Sequence, residues 1–188
     1  MISRIWTIGH STRKTDDFIA LLEENGIKLL ADVRMYPGSK RYPQFGREAL
    51  ANSLSEVGIR YEHFPDLGGR RKAKPDSKNT AWRSEMFRGY ADYMETEDFR
   101  KAIARLIDLA TGRVRPSGGL AENAGPTAIM CAEAVWWRCH RSLISDYLKA
   151  HGVEVLHILD HNKVEPHPFT SAAKIVNGEL SYADETLL

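Results

Sequence analysis

The segment from residue 131 to residue 142 carries the side chains best suited to chemistry. Cys131 ends an apolar stretch, Glu133 follows two positions later, and Cys139, His140 and Arg141 stand together further on. If a helix begins at Arg141, its positive end and the neighbouring cations stabilise a thiolate. Such a thiolate is a nucleophile, Arg141 can bind a phosphate or carboxylate with two hydrogen bonds, and Glu133 can transfer protons or orient Arg141.

The same residues also suit other roles. Free cysteines are often buried packing residues, and Cys131 fits that role at the end of TAIMC. The spacing of Cys131, Cys139 and His140 matches no common zinc motif, so we predict no metal and no cofactor. A phosphatase-type loop does not fit either, because Arg138 and Arg141 lie seven and ten positions after Cys131, further than that loop places its arginine.

Two further predicted strand ends are polar. The first strand runs into His10 and Ser11, and the second ends in Asp32 and Arg34, which the alternation of a strand places on one face. Arg34 can bind an anion while Asp32 orients it, or the two can form a structural ion pair. His10 can transfer protons, whereas Ser11 can hold an anion or cap a turn.

Alternating strands and helices are predicted to position these groups. Helical spacing predicts helices over Asp16–Asn25, Glu48–Val57, Arg83–Met94, Asp98–Thr111 and Arg141–His151. Short β-rich runs predict strands over Arg4–Gly9, Lys28–Arg34, Ile59–Phe64, Thr127–Cys131 and Val153–Leu159. Asn177-Gly178 predicts a C-terminal β-hairpin. The expected fold is α/β, with a mainly parallel sheet of about five strands flanked by helices and functional groups at the carboxyl strand ends.

The 188 residues fit a single domain, 1–188, with a flexible loop predicted at 112–126 from its glycines, prolines and lack of periodicity. No apolar run is long enough to cross a membrane. Two cysteines cannot form a secreted disulfide framework, so we expect a cytoplasmic protein.

The charge of the chain is unevenly distributed. The formal net charge is only +1, yet residues 34–47 and residues 65–83 carry +4 each, and aromatic residues are interleaved with the first set. This pattern suits phosphates and stacked bases, so a phosphorylated small molecule or a nucleic acid is the expected partner. Ordinary solvated loops are the alternative.

Taken in order, several motifs resemble the domain of unknown function 488 family of small prokaryotic proteins. They are Thr7–Ser11, Ala31–Arg34, Gly58–Tyr61, Leu67–Gly69, Met130–Glu133, Cys139–Arg141 and Val155–Ile158. The resemblance spans about residues 5 to 175 and implies a compact α/β domain, but it supplies no reaction. The stretch 112–126 looks longer than the family's usual link.

We expect an enzyme that acts on a phosphorylated, nucleotide or nucleic-acid substrate in an anion-binding crevice. A non-catalytic binding module and a structural or adaptor domain are the alternatives, and the sequence leaves catalysis itself open. His157, His161 and His167 near the fifth strand are interpreted either as structural or as residues that support the site residues from behind. The predicted catalytic residues are His10, Cys131, Glu133 and His140, and the predicted substrate-binding residues are Ser11, Asp32, Arg34, Cys139 and Arg141.

Overall fold

The computed structural model describes residues 4–38, 40–111 and 125–184. The helices are α1 (Thr15–Glu24), α2 (Arg47–Glu56), α3 (Glu85–Met94), α4 (Glu97–Thr111) and α5 (Arg141–Ala150). The strands are β1 (Arg4–Gly9), β2 (Leu29–Asp32), β3 (Arg60–His63), β4 (Thr127–Cys131), β5 (Glu154–Asp160), β6 (Lys163–Pro166), β7 (Lys174–Val176) and β8 (Glu179–Ser181).

Six of the strands form one sheet in the order β3-β2-β4-β1-β5-β6. The first five run parallel and β6 is antiparallel to β5, which confirms the α/β class and the mainly parallel sheet. β6 was not predicted because KVEP is a short, largely exposed edge strand without an apolar run. β7 and β8 form the predicted hairpin, and Asn177 and Gly178 both adopt the positive φ that its turn requires.

The alternation of side chains along the strands builds two apolar layers. In β4, Ile129 and Cys131 point into the layer that also contains apolar residues of α3, α4 and α5. Ala128 and Met130 point into the opposite layer, with α1 and α2. Strands covered on both faces read as continuous apolar runs, which explains why TAIMC contains only one weakly polar residue.

The central strands β1 and β4 are neighbours, and the chain leaves them towards opposite faces of the sheet. The helix after β1 is α1, which packs on one face, whereas the helix after β4 is α5, which packs on the other. Divergence of this kind opens a crevice beyond the carboxyl ends of the strands, where α/β proteins bind their ligands.

The sequence predicts a flexible loop at 112–126 and no segment long and apolar enough to cross a membrane. The predicted loop at 112–126 lies outside the described residues except for Gly125 and Pro126. Within residues 4–38, 40–111 and 125–184, every helix is too short or too polar to cross a bilayer.

Candidate active site

A cleft of about 640 Å³ opens at the carboxyl ends of the strands. Seven of the nine predicted site residues line it: His10, Ser11, Arg34, Cys131, Glu133, Cys139 and His140. The other two, Asp32 and Arg141, are 0% and 1% exposed and lie behind its wall. The side chains predicted at three separate strand ends therefore meet at one place.

Close backbone contact between the turns after β1 and β4 forms the floor of the cleft. The main-chain N–H groups of His10 and Ser11 donate to the carbonyls of Cys131 and Ala132, at 3.0 and 2.9 Å. Gly9 makes this approach possible, because a Cβ there would lie 1.9 Å from the Glu133 carbonyl oxygen. A side chain at Gly9 would push the two turns apart.

Asp32 and Arg34 form a buried ion pair behind one wall of the cleft. The Arg34 side chain donates to the Asp32 carboxylate from Nε at 2.9 Å and from Nη2 at 2.5 Å. The Tyr61 hydroxyl donates to the same carboxylate at 2.6 Å, and Arg34 Nη2 also donates to the Phe45 carbonyl at 2.9 Å. With its donors largely occupied, Arg34 acts in this structure as a brace, which corresponds to the structural alternative drawn from the sequence.

His10 is held in one tautomer by its two neighbours. An Arg34 N–H approaches Nε2 at 3.3 Å, so Nε2 accepts, and Nδ1–H then donates to the Ser11 carbonyl at 2.9 Å. The ring also stacks on Phe45 with 4.2 Å between centroids. Burial lowers the pKa of His10 to about 4, and the Arg34 charge acts in the same direction. His10 is therefore neutral near pH 7, and its basic nitrogen is already engaged.

Cys139 and His140 form a close pair on the opposite wall. His140 Nε2–H donates to the Val33 carbonyl at 3.0 Å, which leaves Nδ1 as the acceptor nitrogen, 3.6 Å from Cys139 Sγ. A Cβ on Gly69 would lie 3.0 Å from that Nδ1, so the glycine keeps the space beside the nitrogen open. The pair thus presents a sulfur and a nitrogen lone pair towards the cleft.

The two cysteines lie side by side, and the pKa values of their thiols are shifted in opposite directions. Burial alone would raise the pKa of the Cys139 thiol, but its contacts with the Cys131 thiol, the Arg141 guanidinium and the His140 ring hold that pKa well below its usual value. The neighbouring Cys139 thiol, together with burial, raises the pKa of Cys131. Cys139 also directly precedes the cap of α5, where the helix dipole favours negative charge. These contacts favour Cys139 over Cys131 as the thiolate of the pair.

Arg141 lies beneath the cysteines and not in the cleft itself. Its Nε donates to Cys139 Sγ at 3.4 Å, and its Nη2 donates to the main-chain carbonyl of Glu133 at 2.6 Å. The Glu133 side chain is exposed, so this residue orients Arg141 through its backbone and not through its carboxylate. The expectation that Arg141 binds substrate directly does not fit this position, because the side chain is only 1% exposed.

A chain of buried hydrogen bonds continues from Arg141 across the sheet. Arg141 Nη1 donates to Thr7 Oγ1 at 3.5 Å, and Thr7 Oγ1 lies 2.7 Å from His157 Nδ1. His157 Nε2 lies 2.9 Å from His167 Nδ1, and His167 Nε2 lies 3.0 Å from Asp146 Oδ1. Because Asp146 only accepts and Arg141 only donates, one consistent direction runs from the guanidinium to the carboxylate. We call these five residues the buried relay.

Packing and further hydrogen bonds keep the buried relay in place. The Trp136 ring stacks on His157 with 4.4 Å between centroids and 5° between planes. The Asp146 carboxylate also accepts from the hydroxyls of Thr170 and Tyr182, at 2.6 and 2.9 Å. His157 and His167, interpreted from the sequence as structural, thus connect the C-terminal segment to Arg141 and through it to Cys139.

Two buried histidines make the protein sensitive to mild acid. Burial lowers the pKa of His10 to about 4 and that of His157 to about 2, from an ordinary 6.5. Below pH 6.5 the unfolded chain therefore binds protons that the folded chain refuses, so stability falls as the pH decreases. Each group contributes up to about 1.4 kcal/mol per pH unit in that window.

Urea unfolding at pH 7.5, 6.0 and 5.0 measures this loss, and His157→Gln should make the dependence on pH shallower. His151→Gln, at an exposed histidine, serves as the control and should leave the slope unchanged. Equal stability at pH 7.5 and pH 5.0 would contradict the neutral state assigned to both buried rings.

The rim of the cleft carries two exposed cations and one acid. Arg70 and Arg138 are exposed and line the cleft together with Glu133, and Tyr36, 72% exposed, stands beside them. Of the ten cations counted in the two basic segments, only Arg34 and Arg70 line the cleft. Arg71, for example, packs over the Tyr93 ring at 3.5 Å instead. The basic segments therefore supply less charge to the cleft than the sequence suggests.

Three side chains could together hold a metal ion. The Sγ atoms of Cys131 and Cys139 and a ring nitrogen of His140 all lie within 4.8 Å of one another, and all three residues are buried. Among the residues that the structure describes, no other group of three or more His, Cys, Asp or Glu side chains brings its donor atoms this close together.

Thr7, Asp146, Arg70 and Arg138 are not among the predicted site residues, although two of them leave a signal in the sequence. Thr7 interrupts the apolar strand RIWTIG, and Asp146 lies three positions after Leu143 on the buried side of α5. A polar residue on a buried face needs a partner, so each marks a buried contact. Nothing distinguishes Arg70 and Arg138 from the other basic residues around them.

The fold and site together define an α/β protein with a parallel sheet and a thiol-containing cleft at the carboxyl ends of its central strands. The chain belongs to the family described as Domain of unknown function DUF488, whose model matches residues 14–116 and 118–148. Neither a search of curated proteins nor a search of solved structures finds a match.

Proposed function

We propose that this protein is an enzyme that binds a phosphorylated small molecule or nucleotide in the cleft and acts on it at the Cys139–His140 pair. The observation that carries the proposal is the meeting of this pair with exposed arginines in one cleft of about 640 Å³. A cleft of that volume is within the range of pockets for small ligands. A reducing compartment such as the cytoplasm suits it, because both cysteines are free thiols.

The rim supports an anionic, nucleotide-sized substrate. Arg70 and Arg138 outnumber Glu133 on the cleft surface, and arginine binds phosphate oxygens through two parallel hydrogen bonds. Tyr36 offers an exposed ring on which a base can stack. A long nucleic acid is less well supported, because most cations of the two basic segments lie away from the cleft.

The floor supports chemistry more than simple binding. The Cys139 sulfur is electron-rich because Arg141 favours its thiolate, and Nδ1 of His140, 3.6 Å from that sulfur, is positioned to accept the proton that the thiol loses. His140 keeps this orientation through Val33, so little reorganisation is required. His10 has its basic nitrogen occupied by Arg34, and its role is to position the opposite wall.

The test is binding of inorganic pyrophosphate, AMP and ATP, measured by calorimetry at low salt. Replacing both Arg70 and Arg138 with glutamine should raise the Kd about 10-fold or more, because each lost charge-assisted hydrogen bond costs about 1.5–3 kcal/mol. Lys101→Gln, at an exposed lysine outside the cleft, is the matched control and should change little. Absence of binding by all three ligands, or equal loss in the Lys101 variant, would contradict the proposal.

A second candidate, a nucleotide-binding module without catalysis, is favoured by the separation of the rim from the cysteines. Arg70, Arg138 and Tyr36 make a binding surface that needs neither thiol. Cys139→Ser distinguishes the two candidates once a ligand has been found. Unchanged ligand affinity with loss of ligand turnover supports the enzyme, whereas no turnover by the unaltered protein supports the module.

A further inference from the structure

We infer that Cys131, Cys139 and His140 form a binding site for one thiophilic divalent ion of the zinc type, with its remaining coordination position open to the cleft. The inference deepens the proposed function, on which it rests for the identity of the cleft as the substrate site. Four observations, each independent of the sequence spacing that first argued against a metal, lead to it.

The first observation is the distance between the donors. Zinc bonds to sulfur at about 2.3 Å and to imidazole nitrogen at about 2.0–2.1 Å, so a tetrahedral site separates sulfur from nitrogen by about 3.6 Å. The separation of Cys139 Sγ and His140 Nδ1 is 3.6 Å. Cys131 Sγ lies within 4.8 Å of Cys139 Sγ and of a ring nitrogen of His140, so an ion could draw it in through a small side-chain movement.

The second observation is the orientation of the histidine. Metal-binding histidines usually donate their other ring N–H to a carbonyl or carboxylate, which fixes the ligating nitrogen. His140 does so through Nε2 and the Val33 carbonyl, at 3.0 Å, and its Nδ1 lies 3.6 Å from Cys139 Sγ. Gly69 keeps the space next to that nitrogen free of a side chain.

The third observation is the electrostatic environment of the sulfurs. Two thiolates cancel the charge of a divalent ion, and both sulfurs are already withdrawn from water. Arg141 Nε–H donates to Cys139 Sγ at 3.4 Å, an interaction that supports a ligating thiolate from outside the coordination shell. Thiolate and imidazole donors select zinc-like ions over magnesium or calcium.

The fourth observation is exposure of the cluster to the cleft. Cys131, Cys139 and His140 all line it, so the fourth position of a tetrahedral ion faces the space where substrate binds. Structural zinc sites have four protein ligands, whereas catalytic sites have three and an open position. An ion held here would polarise a substrate oxygen or activate a water molecule.

Cobalt binding to the full-length chain tests the inference, since Co²⁺ bound to thiolate gives an intense near-ultraviolet charge-transfer band. After treatment with a chelator, the protein should bind one Co²⁺ per chain with that band, and Zn²⁺ should displace it. Zn²⁺ should also slow iodoacetamide alkylation of both cysteines. Cys131→Ser and His140→Gln should weaken Co²⁺ binding at least about 10-fold, and His151→Gln, at an exposed histidine, should not.

Several results would overturn the inference. One is the absence of a thiolate charge-transfer band in the unaltered protein, a measurement that does not depend on any variant folding. Another is rapid Cys139 alkylation that Zn²⁺ leaves unchanged, which would identify the pair as a metal-free nucleophile. A band that persists in both ligand variants would place the ion elsewhere. Pyrophosphate binding by the chelator-treated protein is measured separately, so failure of the metal site and failure of the proposed function are distinguishable.

Discussion

Replacing Asp32 with alanine is expected to lower the free energy of unfolding by about 3–5 kcal/mol, because it leaves a buried guanidinium without its counter-charge. Asp32 is 0% and Arg34 is 6% exposed. The carboxylate accepts three hydrogen bonds from Arg34, including one from its main-chain N–H at 3.0 Å, and a fourth from Tyr61. Water cannot replace these bonds without entering the wall of the cleft.

Urea unfolding at pH 7.5 measures this loss, and the chain provides its own comparison. Glu154→Ala breaks the ion pair between Arg4 and Glu154, whose side chains are 48% and 38% exposed, respectively. This change should lower the free energy of unfolding by at most about 1 kcal/mol. Adding Arg34→Met to Asp32→Ala should recover part of the stability by removing the unpaired charge. Similar small losses from Asp32→Ala and Glu154→Ala would show that the buried pair does not brace the wall.

The second large effect is expected from Gly9→Ala, a change of one methyl group. The added Cβ would lie 1.9 Å from the Glu133 carbonyl oxygen and 2.9 Å from that of Ala134, so the backbone itself must move. The Glu133 carbonyl is also the acceptor for Arg141 Nη2, so its displacement disturbs the support of Cys139. We expect Gly9→Ala to lower the free energy of unfolding by about 3 kcal/mol or more, which is at the upper end of the range for overpacked cores.

Gly38→Ala is the matched control for this prediction. Gly38 also lines the cleft, but a Cβ there meets no atom within 4 Å and its φ is not positive, so the change should stay within about 0.5 kcal/mol. Thermal unfolding of the two variants in parallel gives the comparison. A Gly9→Ala protein as stable as Gly38→Ala would mean that the two turns are not in close contact.

Much of the fold could be predicted from the sequence because its strands are short, apolar and separated by helices with clear spacing. The strands β1 and β4 have the predicted bounds, and the other predicted parallel strands differ by one or two residues at each end. The edge strand β6 escaped prediction because pairing with β5, and not its own apolar character, creates it. Whether this segment forms a strand depends on its pairing with β5, which the periodicity of its own sequence does not reveal.

The meeting of the predicted side chains could also be expected, since parallel strands bring their carboxyl ends to one edge. The role of each side chain depends on how deeply it is buried. The spacing of residues along the sequence does not encode that burial. Arg141 stands in the first turn of a helix, where arginine is commonly solvated, yet packing against β1 and β4 buries it completely. The sequence predicted no metal site because the spacing between Cys131 and Cys139 matches no common zinc motif. The structure brings them together through the turn between β4 and α5, and the role of the cluster remains a prediction.

The buried relay also bears on how much of the chain must fold as one unit. Three of its five members, Thr7, His157 and His167, lie outside the residues 14–148 that the family model matches. The same limits omit β1, which lies between β4 and β5 in the middle of the sheet. A fragment cut at those limits would lose a central strand, the Thr7 partner of Arg141 and the two histidines that follow Thr7 in the buried relay. The segment by which the family is recognised is therefore smaller than the cooperative unit that holds Cys139 in place.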